Sequence, residues 1–286
     1  MELDEILAKK LISMQFPKWE KLLIQPVKKS GWDNRTFHLG KDMTIRLPSN
    51  QEYAPQILKE FHWLPILAQE ITTTITTPLA LGQPCEDFPF HWSVNRWIEG
   101  ETVSLECIQN TNQFAQDLGG FLTEFQGIDS TGGPVAGSHN FYRGGALSAY
   151  DEEMRQAILK IEDMNQQKIA KQLWADALSS QWEKKPVWVH GDFAVGNILV
   201  QKGTLSAVID FGQLAIGDPA CDLAIAWNFF TGDSRNQFQL AVNLDRNTWV
   251  RALGWTFWKT LCWPIKGTDV NTVIQDVFED YKIKYI

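Results

Sequence analysis

Two short β-prone runs separated by a turn constrain the fold of this chain more than any other feature. The runs at 198–200 and 205–209 are rich in Ile, Leu and Val and flank a turn at 202–204, which predicts a β-hairpin. Asn197 and Asp210 are equidistant from a turn centre between Gly203 and Thr204, so we expect them to meet at the open end of the hairpin. One amide and one carboxylate oxygen suit Mg²⁺, which takes few protein ligands and keeps phosphates and water molecules.

A further carboxylate lies just before this hairpin. Asp192 follows a β-prone run at 187–189, and Asn197 comes five residues after it. At this position Asp192 is expected to accept the proton of a hydroxyl group that attacks a metal-bound phosphate. Phosphoryl transfer needs in-line positioning, neutralisation of charge by a metal ion and a carboxylate that orients the nucleophile. The kinase pattern D-x-x-x-x-N followed by D-F-G is met residue by residue here.

Hydrophobic periodicity divides the chain into two parts. The first part predicts a helix that ends near residue 15, strands at 22–27, 35–39, 43–47, 78–81 and 90–98, and a main helix around 57–64. Pro65 is expected to end or kink that main helix. The second part predicts helices at 114–125, 147–163, 169–182 and 270–281, a loop at 131–145 and a tryptophan-rich stretch at 247–263.

Three consecutive motifs carry a resemblance to a known family. They are His-Gly-Asp at 190–192 with Asn197, Ile-Asp-Phe-Gly at 209–212, and Gly-Asp-Pro-Ala-Cys-Asp-Leu-Ala at 217–224. With these motifs the chain resembles the aminoglycoside phosphotransferases, the small-molecule branch of the protein-kinase-like fold. The resemblance covers residues 31–226 and is densest near the end of that span.

The resemblance implies a bilobal α+β protein-kinase-like fold. It implies a small N-terminal nucleotide-binding lobe at 1–98, with a five-stranded antiparallel sheet and one main helix, and a larger, mostly helical catalytic and substrate-binding lobe at 99–286. In this reading ATP or GTP binds between the lobes, Asp192 is the catalytic base, and Asn197 and Asp210 are Mg²⁺ ligands.

The N-terminal part offers a cation for the nucleotide phosphates. Arg46 occupies the third-strand position where kinases usually place Lys, and it offers a planar fork rather than a point charge. Glu60, inside the predicted main helix, is its expected ion-pair partner. No G-x-G-x-x-G loop occurs, and only Ser30 and Gly31 lie at the first hairpin tip, so backbone cradling of phosphates is expected to be less extensive.

Residues near these groups are expected to support the site. By analogy with kinases, Arg96, Trp97 and Ile98 fall at the hinge that would hold the nucleotide base. Three others are expected to brace the catalytic loop, and these are His190, Asp218 and Asp222. His190 is expected to bind loop backbone. Asp218 fits a helix N-cap before a proline, and Asp222 fits a first helical turn, where the helix dipole favours a carboxylate.

Composition limits the possible partners and the location. The 26 basic and 34 acidic residues give a net charge of −8 with no Lys/Arg cluster, so nucleic acid is not expected and a cationic small molecule is favoured. The acidic start and the lack of an apolar run of about 18 residues favour a cytoplasmic protein without a membrane partner. Four scattered cysteines predict buried free thiols. The oligomeric state stays open.

The expected activity is Mg²⁺-dependent transfer of a nucleotide γ-phosphoryl group to a hydroxyl group of a small molecule. An aminoglycoside antibiotic is the leading acceptor, which implies a role in antibiotic resistance. The alternatives are a macrolide, an amino-sugar or amino-alcohol metabolite, or a kinase-like binding module without catalysis. A metal-dependent hydrolase is less favoured because a second ligand pair is lacking. The hypothesised carboxylates for acceptor ammonium groups are Asp151, Glu152, Glu153, Asp233, Glu279 and Asp280.

Overall fold

A five-stranded antiparallel sheet forms the N-terminal lobe of the computed structural model, which describes residues 2–28, 31, 33–264 and 269–285. Its strands are β1 (Ile24–Pro26), β2 (Asn34–Leu39), β3 (Met43–Pro48), β5 (Pro78–Gly82) and β6 (Trp92–Arg96), in the order β1-β2-β3-β6-β5. A short strand between them in sequence, β4 (Thr74–Ile75), belongs to another sheet. The predicted five-stranded antiparallel sheet is therefore confirmed.

Two helices accompany this sheet. They are α1 (Glu5–Gln15) and α2 (Ala54–Leu67), and both were predicted. Of the two alternatives predicted for Pro65, the one in which it ends the helix is wrong, because α2 continues past this residue. A proline removes one intrahelical hydrogen bond, but the Ala68 N–H still donates to the Leu64 carbonyl at 2.9 Å and closes the last turn.

The C-terminal lobe is mostly helical, as predicted. Its helices are α3 (Thr111–Gly127), α4 (Asp151–Leu159), α5 (Met164–Ser179), α6 (Ile225–Asn228), α7 (Gly232–Val242), α8 (Arg246–Cys262) and α9 (Val270–Tyr285). The apolar face predicted for α3 is buried, and it consists of Phe114, Leu118, Phe121, Leu122 and Phe125. The tryptophan-rich stretch forms α8, which is buried along most of its length.

Short strands also occur in this part of the chain. They are β7 (Glu101–Thr102), β8 (Val187–Val189), β9 (Ile198–Gln201), β10 (Thr204–Val208) and β11 (Ala215–Gly217). One sheet has the order β4-β10-β9-β7, and β11 pairs with β8 in a second. Because β4 pairs in parallel with β10, a segment that precedes residue 98 joins the sheet of the β9–β10 hairpin. The lobe boundary after residue 98 stays a prediction.

The β9–β10 hairpin has a tighter turn than expected. Gln201 pairs with Thr204, so the turn consists of two residues, Lys202 and Gly203. Their φ angles are 52° and 82°, the positive values that a type I′ turn requires. The turn centre therefore lies one residue earlier in the chain than the sequence suggested.

A bulge then changes the pairing of the two strands. The register shifts between Leu205 and Ala207, which leaves Ser206 as an extra residue. The Ile209 N–H donates to the Asn197 carbonyl at 2.9 Å, so Ile209 lies opposite Asn197 and Asp210 follows one residue later. The predicted direct opposition of Asn197 and Asp210 is wrong, although both residues lie at the open end of the hairpin.

Two apolar cores hold the structure together. The smaller one lies between α1 and the five-stranded sheet, and the larger one fills the C-terminal lobe and includes Leu64 and Leu67 of α2. The four cysteines are free, but only Cys221 is buried and the other three are half-buried, which corrects the expectation of buried thiols. Within the described ranges, each helix is too short or too polar to cross a bilayer.

Truncation of the α3 face tests the larger core. Leu118 is fully buried, so Leu118→Ala should lower the free energy of unfolding by about 2–5 kcal/mol through lost burial and a cavity. The measurement is urea unfolding followed by circular dichroism. Leu240 is 71% exposed on a neighbouring helix, and Leu240→Ala should cost less than about 0.5 kcal/mol. Equal effects of the two substitutions would contradict this account of the core.

Candidate active site

A buried carboxylate holds the loop that follows β8. Asp222 accepts hydrogen bonds from the backbone N–H groups of His190 at 2.7 Å and Gly191 at 2.9 Å. Its side chain is fully buried, and this burial raises the pKa of the carboxyl group. Gly191 has a φ of 82°, and a Cβ atom there would lie 2.4 Å from the Gln213 carbonyl oxygen. Only glycine fits this position, so the loop conformation is tightly specified.

His190 lies beneath the same loop and is fully buried. The Asp192 N–H lies 3.2 Å from its Nδ1, and its Nε2 lies 3.0 Å from the Ile209 carbonyl oxygen. An N–H group needs an acceptor and a carbonyl oxygen needs a donor, so the neutral tautomer with hydrogen on Nε2 satisfies both contacts. His190 thus joins the loop to the end of the hairpin, as its predicted structural role requires.

Asp218 begins the 3₁₀ helix Pro219–Ala224 and accepts a hydrogen bond from the Ala220 N–H at 3.1 Å. It also forms an ion pair with Arg251 of α8, at 2.5 Å between Oδ2 and Nε. Both side chains are buried. The N-cap was predicted, but Arg251 was missed because no local pattern indicates which residue α8 turns toward Asp218.

Asp192 lies at the centre of the site and has partners on both carboxylate oxygens. Asn197 Nδ2 donates to Oδ2 at 3.2 Å and to the Asp192 backbone carbonyl at 2.9 Å. Lys259 Nζ of α8 lies 2.7 Å from Oδ1. Burial alone would raise the pKa of Asp192, but the charge and hydrogen bond of Lys259 outweigh it and hold the pKa at about 2. The carboxylate is therefore ionised at neutral pH.

Arg46 joins the N-terminal lobe to the end of the hairpin. Its Nη1 lies 2.9 and 2.8 Å from the two carboxylate oxygens of Glu60, and its Nη2 lies 2.9 Å from Asp210 Oδ1. Burial lowers the pKa of Arg46, but the two carboxylates more than compensate and raise it. The predicted contact between Arg46 and Glu60 is present, and Asp210 is a second partner that the sequence did not indicate.

The end of the hairpin offers oxygen atoms for a metal ion. The hydrogen bonds of Asn197 use its NH₂ group, which leaves Oδ1, and the contact of Asp210 with Arg46 uses Oδ1, which leaves Oδ2. Asp210 has a φ of 65°, which is rare for a non-glycine residue and is concentrated at functional sites. Across the described ranges, no cluster of three or more His, Cys, Asp or Glu is arranged to hold a metal. An amide and a carboxylate oxygen fit Mg²⁺, which completes its shell with phosphates and water.

Asp33 adds a carboxylate beside this end of the hairpin. Gln56 Nε2 donates to Asp33 Oδ2 at 3.3 Å. Burial, followed by the charge of Asp210, raises the pKa of Asp33 to about 6. The sequence analysis missed Asp33 because the loop before β2 has no recognised phosphate-binding pattern. At the predicted hairpin tip, Gly31 has open space around its Cα, and Ser30 lies outside the described residues.

The three predicted hinge residues lie where the chain leaves the five-stranded sheet. Arg96 ends β6, and the Trp97 N–H donates to the Asp42 carbonyl at 2.8 Å. The Trp97 ring packs against His38 with 4.4 Å between ring centroids, and Ile98 is half-buried. These residues therefore begin the segment that connects β6 of the five-stranded sheet to β7.

The hypothesised acceptor carboxylates differ in their surroundings. Asp151 and Glu153 accept hydrogen bonds from tryptophan indoles, and Asp280 accepts one from an indole and pairs with two cations. Asp233 and Glu279 are exposed. The six carboxylates do not form one cluster, since they lie on three helices and most of them already have protein partners.

Comparisons with known proteins agree with this geometry. A sequence profile described as the phosphotransferase enzyme family matches residues 24–255. An aminoglycoside 3'-phosphotransferase of Escherichia coli is 44% identical over 43 residues, and the match spans 15% of this chain and 16% of that protein.

Solved structures share the fold over nearly the whole chain. The GDP complex of aminoglycoside 2'-phosphotransferase-IIIa has a TM-score of 0.74 at 16% identity and covers 99% of this chain and 100% of its own. A macrolide 2'-phosphotransferase of Brachybacterium faecium has a TM-score of 0.64 at 17% identity and covers 88% and 90%. The predicted bilobal protein-kinase-like fold is thereby confirmed.

The raised pKa of Asp33 makes stability depend on pH. The folded state holds the Asp33 proton more tightly than the unfolded state, so ionised Asp33 destabilises the fold above pH 6. Asp33→Asn should therefore raise Tm at pH 7.5 by about 2–4 °C, which corresponds to roughly 1 kcal/mol for this half-buried group. The gain should shrink as pH falls to 5, because Asp33 is then protonated in the wild type.

Thermal unfolding without nucleotide, at both pH values, measures this effect. Asp42→Asn changes an exposed carboxylate of the next loop and is the matched control. An equal gain at pH 5 and pH 7.5 would contradict the assignment.

Proposed function

The chain belongs to the phosphotransferase enzyme family, and on this basis we propose that it transfers the γ-phosphoryl group of a nucleoside triphosphate to a hydroxyl group of a small molecule. The observation that carries the proposal is the convergence of Asp192, Asn197, Asp210 and Arg46 at one end of the β9–β10 hairpin. A carboxylate, two oxygen ligands and a cation are the parts that phosphoryl transfer uses.

Each side chain has a proposed task. Arg46 offsets the charge of the phosphates, while Asn197 and Asp210 hold Mg²⁺, which neutralises charge on the triphosphate when it is bound. Asp192 orients the acceptor hydroxyl toward the γ-phosphorus. The hydroxyl oxygen forms a bond to phosphorus, the bond from phosphorus to the β–γ bridging oxygen breaks, and the hydroxyl proton passes to Asp192.

The low pKa of Asp192 affects how it works. While Lys259 contacts it, the Asp192 carboxyl has a pKa of about 2 and is too weak a base to remove the proton of a hydroxyl in advance. In a loose transition state the proton leaves late, when the oxygen has already begun to bond to phosphorus. We therefore assign Asp192 mainly to orientation of the hydroxyl, followed by late proton acceptance.

Other residues complete the nucleotide site. We propose that Glu60 holds Arg46 in place, that Arg96, Trp97 and Ile98 hold the base, and that the braces formed by His190, Asp218 and Asp222 keep the loop in position. Structures of the same fold were determined with GDP or ADP, which supports a purine nucleotide as donor. ATP and GTP are both candidates.

We propose an aminoglycoside as the leading acceptor, with a macrolide as the second candidate. Structures that share this fold include an aminoglycoside phosphotransferase with GDP and kanamycin and macrolide 2'-phosphotransferases. The net charge of −8 favours a cationic acceptor of either class. In this function the protein acts in the cytoplasm and confers antibiotic resistance.

Replacement of Asp192 tests its role. Asp192→Ala should lower kcat by about 10²–10⁴-fold because the acceptor hydroxyl loses its orienting carboxylate, while nucleotide affinity changes little. The assay is release of nucleoside diphosphate from ATP and GTP with a panel of aminoglycosides, macrolides and amino alcohols. Glu183→Ala removes an exposed carboxylate of the loop before β8 and should leave the rate unchanged. Full turnover by Asp192→Ala would refute the assignment.

Replacement of the metal ligands should act on binding instead. Asn197→Ala and Asp210→Ala should each raise the Kd of the Mg²⁺–nucleotide complex by at least about tenfold, or roughly 1.4 kcal/mol. Calorimetric titration with and without Mg²⁺ measures this change. Asp210→Ala also removes a contact with Arg46, and Asn197→Ala also removes hydrogen bonds to Asp192, so only an effect shared by both variants is assigned to the metal. Unchanged Mg²⁺ dependence in both variants would exclude the proposed metal site.

A further inference from the structure

The ammonium group of Lys259 contacts Asp192, the carboxylate that the proposed function assigns to the acceptor hydroxyl. Lys259 Nζ is 2.7 Å from Asp192 Oδ1, and the Lys259 side chain is only 19% exposed. Resting on the proposed function, we propose that Lys259 is a positioning residue that keeps water from using Asp192 while the acceptor site is empty. In this way Lys259 couples cleavage of the nucleotide to the presence of an acceptor.

The surroundings of Lys259 hold α8 in the position that allows this contact. Lys259 lies in the last turn of α8, where the helix dipole favours a cation. The neighbouring Trp258 donates its indole N–H to Glu153 at 2.8 Å, and the buried ion pair of Arg251 with Asp218 fixes the helix two turns earlier. Because α8 is held on both sides, the flexible part is the end of the lysine side chain.

No other cation duplicates this contact in the described part of the chain. The charge of Arg143 also acts on Asp192, but its guanidinium lies over the Trp258 ring at 4.4 Å and its Nε donates to Gln213 at 3.2 Å. Asn197 Nδ2 donates a hydrogen bond to the other carboxylate oxygen of Asp192. Lys259 is therefore the group that an incoming nucleophile must share or displace at Oδ1.

Water and acceptor differ in their ability to displace it. A charge-assisted hydrogen bond is stronger than a neutral one, and a single water molecule gains too little at Asp192 to separate the ion pair. An acceptor that binds through several groups can use that binding energy to move the ammonium and place its own hydroxyl on Oδ1. Lys259 can then donate to another oxygen of the acceptor.

The reaction that Lys259 suppresses is nucleotide hydrolysis. In that reaction a water oxygen bonds to the γ-phosphorus, and the bond from phosphorus to the β–γ bridging oxygen breaks. One water proton passes to Asp192 and then to solvent, leaving nucleoside diphosphate and inorganic phosphate. Water and the Mg²⁺–nucleotide are the reactants, so no further co-reactant is needed.

Lys259→Met tests the proposal because it keeps the apolar stem and removes the cation. Without acceptor, this variant should release inorganic phosphate from the Mg²⁺–nucleotide at least about tenfold faster than the wild type. With acceptor, its KM for the acceptor should rise and its kcat for transfer should fall. Its nucleotide Kd, measured by calorimetry, should match that of the wild type. Lys259→Arg keeps a cationic donor and should restore slow hydrolysis.

Lys184→Met is the matched control. It removes a lysine–aspartate pair of similar length, 2.9 Å, with Asp245 at the other end of α8. Its hydrolysis rate should equal that of the wild type. If Lys259→Met does not fold, as judged by circular dichroism, Lys259→Gln replaces it in the same assay.

The outcomes separate this inference from the proposed function. Hydrolysis that is unchanged or slower in the Lys259 variant, or that rises equally in Lys184→Met, would overturn the inference while wild-type transfer to an acceptor upholds the function. Faster hydrolysis in the variant, with no transfer by the wild type to any acceptor of the panel, supports the inference and refutes the acceptor class. A wild type that binds no nucleotide overturns both.

Discussion

The site depends on one buried cation that reaches three elements at once. Arg46 of β3 contacts Glu60 of α2 and Asp210 at the end of the hairpin, and its own side chain is almost fully buried. A planar guanidinium can serve two carboxylates from one position, which a lysine ammonium does less readily. Because a buried charge without a partner is strongly unfavourable, the strand, the helix and the hairpin end must lie together. This requirement holds together the three elements that form the proposed phosphate side of the site.

Carboxylates in this structure have two kinds of task, and burial separates them. Asp218 and Asp222 are buried, and their oxygen atoms accept hydrogen bonds from backbone N–H groups and from an arginine. Asp192 and Asp210 have side chains that are 35% and 36% exposed and can meet a ligand. The buried acids define the shape of the loop, and the accessible acids carry the proposed chemistry. Both kinds occur within one stretch of sequence, and local context separates them, since Asp218 and Asp222 begin a helix while Asp192 and Asp210 flank the hairpin.

The features that local sequence determines were predicted best. The hairpin and the apolar face of α3 follow from periodicity and motif spacing, while the pair formed by Arg46 and Glu60 follows from the resemblance to kinases. The hairpin turn lies one residue earlier than predicted, and a bulge at Ser206, which depends on packing and has no distinct pattern, shifts the pairing beyond it, so Asn197 lies opposite Ile209 rather than Asp210. Lys259 was missed because its contact with Asp192 joins residues 67 positions apart. Contacts across such distances depend on how helices pack, which one sequence does not reveal.

The parallel pairing of β4 with β10 has a mechanical consequence. Only two residues separate β4, in the sheet of the β9–β10 hairpin, from β5, in the five-stranded sheet. The second passage follows Arg96, whose N–H donates to the Thr77 carbonyl at 2.8 Å, so the two passages lie side by side. The two connections between the sheets are therefore adjacent, and both lie beside β5 and β6. The five-stranded sheet is therefore tethered on the side of β5 and β6, and β1 forms its opposite edge.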